Sequence, residues 1–162
     1  MKVGVFAGTF DPITKGHEQV IKKSVGLFDK LIVALCVNPE KHTLYSVEDR
    51  LEMITAVCKG YKNVEVLYFD GMLVDLMKKK GIIYNVRGVR NSNDFEYENK
   101  MHDYNLNLYK EMVTIYLPCS DSLKEVSSTL ARKSVNDNCY SDNLLSSEVI
   151  EIIKRINTKD NK

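Results

Sequence analysis

Lys2-Val3-Gly4-Val5-Phe6-Ala7-Gly8-Thr9-Phe10-Asp11-Pro12, continuing through Thr14-Lys15-Gly16-His17, decides the reading of this chain. Lys2 to Ala7 is a short apolar run stopped by Gly8, the pattern of a strand buried on both faces. Turn-forming residues come next, and then Val20, Ile21, Ser24, Val25 and Phe28 recur at helical spacing. The loop between strand and helix therefore lies where the unpaired N–H groups of a helix start can meet an anion. Gly8 lets the backbone approach a ligand closely, and Thr9 supplies a hydroxyl. The string is neither a Walker loop nor the dinucleotide G-x-G-x-x-G, so neither of those readings applies.

The same unit recurs downstream. Leu31 to Val37 is a second β-branched run, closed by Asn38-Pro39. Ser46 with Asp49 three residues on opens a helix whose apolar stripe is Leu51, Ile54 and Val57 or Cys58. Val64 to Phe69 reads as a third strand, Leu73 to Lys80 as a short helix stopped by Gly81, and Ile82 to Val86 as a fourth strand. A long helix is expected from about Asp94 to Tyr109, a fifth strand over Val113 to Leu117, and another helix from near Ser127. Asn136 to Ser147 reads as a loop. Val149, Ile150, Ile152, Ile153 and Ile156 mark a last amphipathic helix, with residues 157–162 as a frayed tail. Strands alternating with helices predict a doubly wound, five-stranded parallel sheet with helices on both faces. Ligands then bind beyond the carboxyl ends of the strands.

Bulk properties narrow the function classes. A chain of 162 residues fits one domain over residues 1–162, and at that size roughly 70% of the unfolded surface is buried without staples. No apolar run approaches the ~20 residues of a membrane span, and the first residues lack the pattern of a signal peptide. A net charge of +1 argues against nucleic-acid binding through the overall field, while leaving room for a small polyanion held by a local group of cations. Cys36, Cys58, Cys119 and Cys139 show no metal-type spacing with the histidines, and no metal ligands are expected. They read as reduced, passive thiols in a cytoplasmic protein.

Unusual residues gather after the other strands too. Lys41 lies in Asn38-Pro39-Glu40-Lys41-His42, where a lone lysine is ordinarily a solvated charge. Arg87-Gly88-Val89-Arg90 suits bidentate phosphate binding. The acids of Asp94-Phe95-Glu96-Tyr97-Glu98 also have a bland role, complementing the dipole of a first helical turn. Val126-Ser127-Ser128-Thr129 enters a helix carrying Arg132, and Ser and Thr there are ordinary caps. His17 alone would read as a helix-start residue bonded to local backbone; its glycine, threonine and lysine neighbours favour a functional role.

Gly8-Thr9-Phe10-Asp11-Pro12 followed by Thr14-x-Gly16-His17 is similar to the signature of the nucleotidyltransferase superfamily. Many relatives carry His-x-Gly-His. Thr14 in the first position, with Arg87-Gly88-x-Arg90 before Asp94-Phe95-Glu96-Tyr97-Glu98, resembles the bacterial phosphopantetheine adenylyltransferases instead. The resemblance runs from Lys2 to about Lys133. It implies transfer of AMP from ATP to 4′-phosphopantetheine, giving dephospho-coenzyme A and pyrophosphate, with Mg²⁺ carried by ATP. It further implies a hexamer, while the charge balance and the lack of a long apolar run give no expectation of a nucleic-acid or membrane partner. Thr9, Lys41, Leu73 and Arg87 would hold the acceptor. Thr9, Phe10, His17, Gly88, Val89, Arg90, Glu98 and the run Leu123, Lys124, Glu125, Val126, Ser127, Ser128 and Thr129 would hold ATP. His17, Lys41 and Arg90 would sit near the reacting phosphates. Two positions depart from the pattern: Ala7 replaces a usual proline, and Leu123-Lys124-Glu125 stands where relatives place aromatic residues. The competing readings are a nicotinate-nucleotide adenylyltransferase with the same chemistry, and a nucleotide-binding module without catalysis.

Overall fold

The computed structural model describes residues 1–36 and 42–160. Five strands, β1 (Val3–Gly8), β2 (Lys30–Cys36), β3 (Val64–Phe69), β4 (Tyr84–Val89) and β5 (Val113–Pro118), form one sheet in the order β3-β2-β1-β4-β5. Every pairing is parallel, as the continuous apolar runs predict. The chain winds outward from β1 to β3, then returns beside β1 to lay down β4 and β5. The reversal therefore falls between β1 and β4.

Alternation along the strands splits the core in two. Phe6, Leu31, Val33 and Leu35 face α1 (Lys15–Ser24), α2 (Val47–Cys58), α5 (Ser128–Asn136) and α6 (Ser147–Asp160). Val5, Ala7, Ile32 and Ala34 face α3 (Leu73–Lys80), with Leu106 and Tyr109 packing from α4 (Ser92–Leu108) and its end. Ser46 caps α2 by accepting from Asp49 N at 3.1 Å, and Ser127 caps α5 by accepting from Leu130 N at 3.1 Å. None of the helices among the described residues is long and apolar enough to cross a membrane.

Three expectations need correction. The fourth strand is not Ile82 to Val86 but Tyr84–Val89, because β4 stays in register with β5 as far as Val89 opposite Pro118. Arg87, Gly88 and Val89 are therefore strand residues, while Ile82 is core in the preceding turn. Helix α1 stops at Ser24, and Phe28 packs from the following turn. Finally, α6 does not fray from Asn157: it continues to Asp160, with Asn157 Nδ2 donating to Tyr140 Oη at 3.2 Å and Thr158 Oγ1 donating to Lys154 O at 2.9 Å.

Candidate active site

The sheet opens at its reversal. Strands β1 and β4 are paired only at Gly4–Tyr84 and Val5–Asn85, whereas β1 stays paired with β2 to Gly8 and β4 with β5 to Val89. Beyond Val5 and Asn85 the two central strands part, and the gap is stitched by Arg87 Nη1, which donates to Ala7 O at 2.8 Å. Helix α1 lies over this crevice. A Cβ on Gly88 would meet Val20 Cγ2 at 2.6 Å, so only glycine lets α1 settle so close to β4.

A cavity of about 730 Å³ opens there, bounded by the loop after β1, the start of α1, the end of β4 and the entry to α5. Thr9, Phe10, His17, Arg87, Gly88, Val89, Arg90, Glu98, Val126, Ser127, Ser128 and Thr129 line it, so most of the sequence-derived site residues come together. Leu123, Lys124 and Glu125 do not. Asp121–Leu123 is a 3-10 turn, and Lys124 Nζ is held by Asp121 Oδ1 at 2.5 Å on the surface. Leu73 also stays out of the cavity lining, packing against the smaller core at the start of α3. Lys41 lies outside the described residues.

Carbonyls of the loop after β1 are held by side chains. Arg50 Nη1 donates to Thr9 O at 3.0 Å, Arg132 Nη1 to Asp11 O at 2.7 Å and Ser128 Oγ to Pro12 O at 2.8 Å. Arg90 Nη1 likewise donates to Val126 O at 3.2 Å. Carbonyl oxygens that would repel an anion are thereby occupied. The Asp11 carboxylate accepts from Leu44 N at 2.9 Å and Tyr45 N at 3.0 Å, tying this loop to the one after β2. Phe10 takes a left-handed backbone with φ of 46°. Its buried ring meets the His17 imidazole edge-on, with 5.1 Å between centroids.

His17 is the third residue of α1, bonded to the local backbone and facing the cavity. Its Nδ1 accepts from Thr14 N at 3.0 Å and lies 3.0 Å from Thr14 Oγ1. A ring nitrogen that accepts from a backbone N–H carries no proton, so the proton sits on Nε2. Burial, with the Arg87 and Arg90 charges adding to it, holds the imidazole down to about 4. His17 is a neutral donor.

Both predicted arginines are already engaged. Arg87 Nε and Nη2 reach Glu98 at 2.8 and 2.6 Å. Arg90 Nε and Nη2 reach Asp94 at 2.7 and 3.2 Å, and Asp94 also accepts from Arg90 N at 3.2 Å. The Arg90 fork holds the Asp94 carboxyl below the usual range. Asp94 is thus an orienting partner and not merely a dipole complement. Sequence reasoning missed Arg50 and Gln19, which belong to no short motif and act on backbone from other elements; Asp11 stands in the quoted Gly8 to Pro12 string, but its bonds to the Leu44 and Tyr45 amides leave no local signal. Cys119 lines the cavity with its thiol pushed up by burial, in keeping with a passive role.

The chain is similar to known proteins along most of its length. A family profile described as cytidylyltransferase-like matches residues 5–134. A phosphopantetheine adenylyltransferase of Clostridium botulinum (strain 657 / Type Ba4) is 43% identical over 161 residues, 98% of each chain. One from Caldanaerobacter subterraneus subsp. tengcongensis is 43% identical over 133 residues, 82% of this chain and 83% of its own. A crystal structure from Vibrio parahaemolyticus, described as a nicotinate-nucleotide adenylyltransferase, superposes with a TM-score of 0.69 over 94% of this chain and 99% of that one. Its identity is 20%, a likeness of fold alone.

Proposed function

This chain belongs to the phosphopantetheine adenylyltransferases, within the cytidylyltransferase-like family, and we propose that it transfers the adenylyl group of ATP to 4′-phosphopantetheine, releasing pyrophosphate and forming dephospho-coenzyme A. The observation that carries this reading is a neutral His17 whose Nε2–H is left for a ligand, beside Arg87 and Arg90 in the crevice between β1 and β4.

The chemistry asks little of the protein in proton transfer. A phosphate monoester has a second pKa of about 6, so near neutral pH it is largely dianionic and attacks the α-phosphorus without a general base. One P–O bond forms and the bond to pyrophosphate breaks. What the site contributes is alignment of two polyanions and donors for the charge on the phosphoryl oxygens. In this reading His17 Nε2–H donates to an α-phosphate oxygen, with Lys41 and Arg90 near the reacting phosphates. Thr9, Lys41 and Arg87 serve the acceptor, and Leu73, packed on the smaller core, is left out. Thr9, Phe10, His17, Gly88, Val89, Arg90, Glu98 and the run from Val126 to Thr129 serve ATP, whose triphosphate brings Mg²⁺. The carboxylates lining the cavity suit a metal that arrives on phosphates: Asp94 and Glu98 are held by arginines, and Asp11 by backbone amides. Among the described residues, no three of His, Cys, Asp or Glu gather into a metal-holding group.

Assembly into a hexamer, in the cytoplasm, belongs to the same proposal. Helix α4 has no buried residue along its length, and Tyr97, Met101, Tyr104 and Leu108 fall on one exposed face at spacings of four, three and four. Such a stripe on a helix of a folded protein supports contact with another copy.

The deciding experiment is pyrophosphate release with Mg²⁺-ATP and a panel of phosphorylated acceptors. We expect rapid release only with 4′-phosphopantetheine. Faster turnover with nicotinate mononucleotide would overturn the assignment, and ATP binding without release would reduce the chain to a binding module.

A further inference from the structure

We propose that Gln19 is a positioning residue that fixes the loop leading into Val126–Thr129 against the helix bearing His17. This rests on the reading of the run from Val126 to Thr129 as the ATP side of the site.

Gln19 lies two residues beyond His17 in α1, and its amide reads one residue 101 positions away at two points. Its Nε2 donates to Ser120 Oγ at 2.6 Å, and its Oε1 accepts from Ser120 N at 2.8 Å. A primary amide presents a donor and an acceptor side by side, which matches the hydroxyl oxygen and N–H of a single serine. About one helical turn on, Lys23 Nζ donates to Pro118 O at 2.6 Å. From the opposite side, Cys119 N donates to Val89 O at 2.8 Å. The exit of β5 is thereby tied to α1 at two residues and to β4 at one.

Beyond Ser120 the backbone runs through short turns with little slack. Leu123 N donates to Ser120 O at 3.0 Å and Val126 N donates to Leu123 O at 3.0 Å. Val126 O then receives Arg90, and Ser127 caps α5. A shift at Ser120 therefore passes to the residues that line the cavity. Gln19 touches none of the cavity and acts only through Ser120, so its effect should be confined to the ATP side.

The test uses Gln19→Leu, which keeps most of the volume and loses both hydrogen bonds, and Gln19→Glu. The glutamate can still accept from Ser120 N and, if the serine hydroxyl turns round, from Oγ–H. We expect Gln19→Leu to raise the KM for ATP about tenfold, with the KM for the acceptor within about twofold and the fold retained by circular dichroism, and Gln19→Glu to recover most of the loss. The amide of Ser120, followed by hydrogen exchange, should exchange faster in Gln19→Leu than in wild type. An ATP KM within about twofold of wild type, a joint rise in both KM values, a glutamate variant as poor as leucine, or unchanged exchange at Ser120 each overturns the proposal. If the wild-type protein shows no turnover, the functional reading has failed, and the exchange measurement still decides whether the clamp exists.

Discussion

His17 Nδ1 accepts a hydrogen bond from the backbone N–H of Thr14 at 3.0 Å, and that single contact fixes which ring nitrogen can serve a ligand. The residue that caps its own helix is thereby also turned outward as a donor at Nε2.

Removing that donor should cost turnover without costing the fold. One preorganised donor to a developing oxyanion is typically worth on the order of 100- to 1000-fold. We expect His17→Ala to lose turnover on that scale at saturating substrate while retaining much of its ATP binding. His17→Gln or His17→Asn should recover part of the rate where the amide reaches the same oxygen. A folded alanine variant within a few-fold of wild type would make His17 a cap and nothing more.

The same imidazole has a pH signature in stability. Its ordinary value of 6.5 falls to about 4 in the folded state, chiefly by burial, so between those values the unfolded chain binds the extra proton. Stability from this group is therefore full above about 6.5 and is lost progressively as pH falls toward 4. Melting temperatures measured from pH 7 down to pH 5 should fall less steeply in His17→Gln than in wild type. Equal slopes would place the titration elsewhere.

Arg87 is expected to matter more to the acceptor than to ATP. A charge-assisted hydrogen bond contributes about 1.5–3 kcal/mol, or roughly 10- to 150-fold in affinity. Arg87→Ala should weaken 4′-phosphopantetheine binding within that range. It should also cost some stability by stranding the Glu98 carboxylate, whose side chain is only 13% exposed. Separate titrations of the two substrates decide the point. Collapse of ATP binding with acceptor binding intact would mean the two phosphate pockets are swapped.

Gly88 offers a purely steric test of how α1 is seated. An added methyl would lie 2.6 Å from Val20 Cγ2, too close for any real contact. Gly88→Ala should therefore destabilise by about 1–3 kcal/mol and slow turnover, since the displaced helix carries His17. Val20→Ala removes the obstructing carbon, so the double variant should be more active than Gly88→Ala alone. Additive losses in the pair would rule out the clash as the cause.

The α4 stripe predicts its own outcome in solution. Met101→Glu with Tyr104→Glu puts two charges on a face where Tyr97 is 61% and Tyr104 is 54% exposed. We expect wild type to elute as an oligomer and this variant to shift to a smaller species with unchanged secondary structure, by light scattering and circular dichroism. A wild-type protein that is monomeric at micromolar concentration would contradict the hexamer outright.

Much of the site was legible in the sequence because a parallel sheet delivers its loops to one edge. Glycine at the end of β1, the arginines at and just beyond the end of β4 and the serines in the connection from β5 to α5 all lie on the carboxyl side of the sheet, so topology alone gathers them. What escaped was pairing at a distance. Nothing in the order of residues shows that Arg87 grips Glu98, that Arg50 reaches Thr9 O, or that Gln19 reads Ser120, because each bond joins elements whose contact exists only after packing. The end of β4 was misplaced for a related reason. Arg87 and Gly88 look like a turn locally, and it is the register with Tyr116 and Leu117 on β5 that keeps them extended. The run from Leu123 to Glu125 was placed by resemblance alone, and its side chains lie away from the cavity.

The internal pairing of Arg87 and Arg90 has a consequence for the idle enzyme. Each guanidinium has its fork on a carboxylate and its remaining arm on a backbone carbonyl. Of the five N–H groups on each guanidinium three are spent in this way, so the forks are held in place while two donors on each remain for a ligand. Both arginines, His17 and the starts of α1 and α5 line the same cavity, so a ligand with several phosphate oxygens has a donor on each side of it. The arginines thus meet a polyphosphate already oriented, with no side-chain search left to make at the moment of binding.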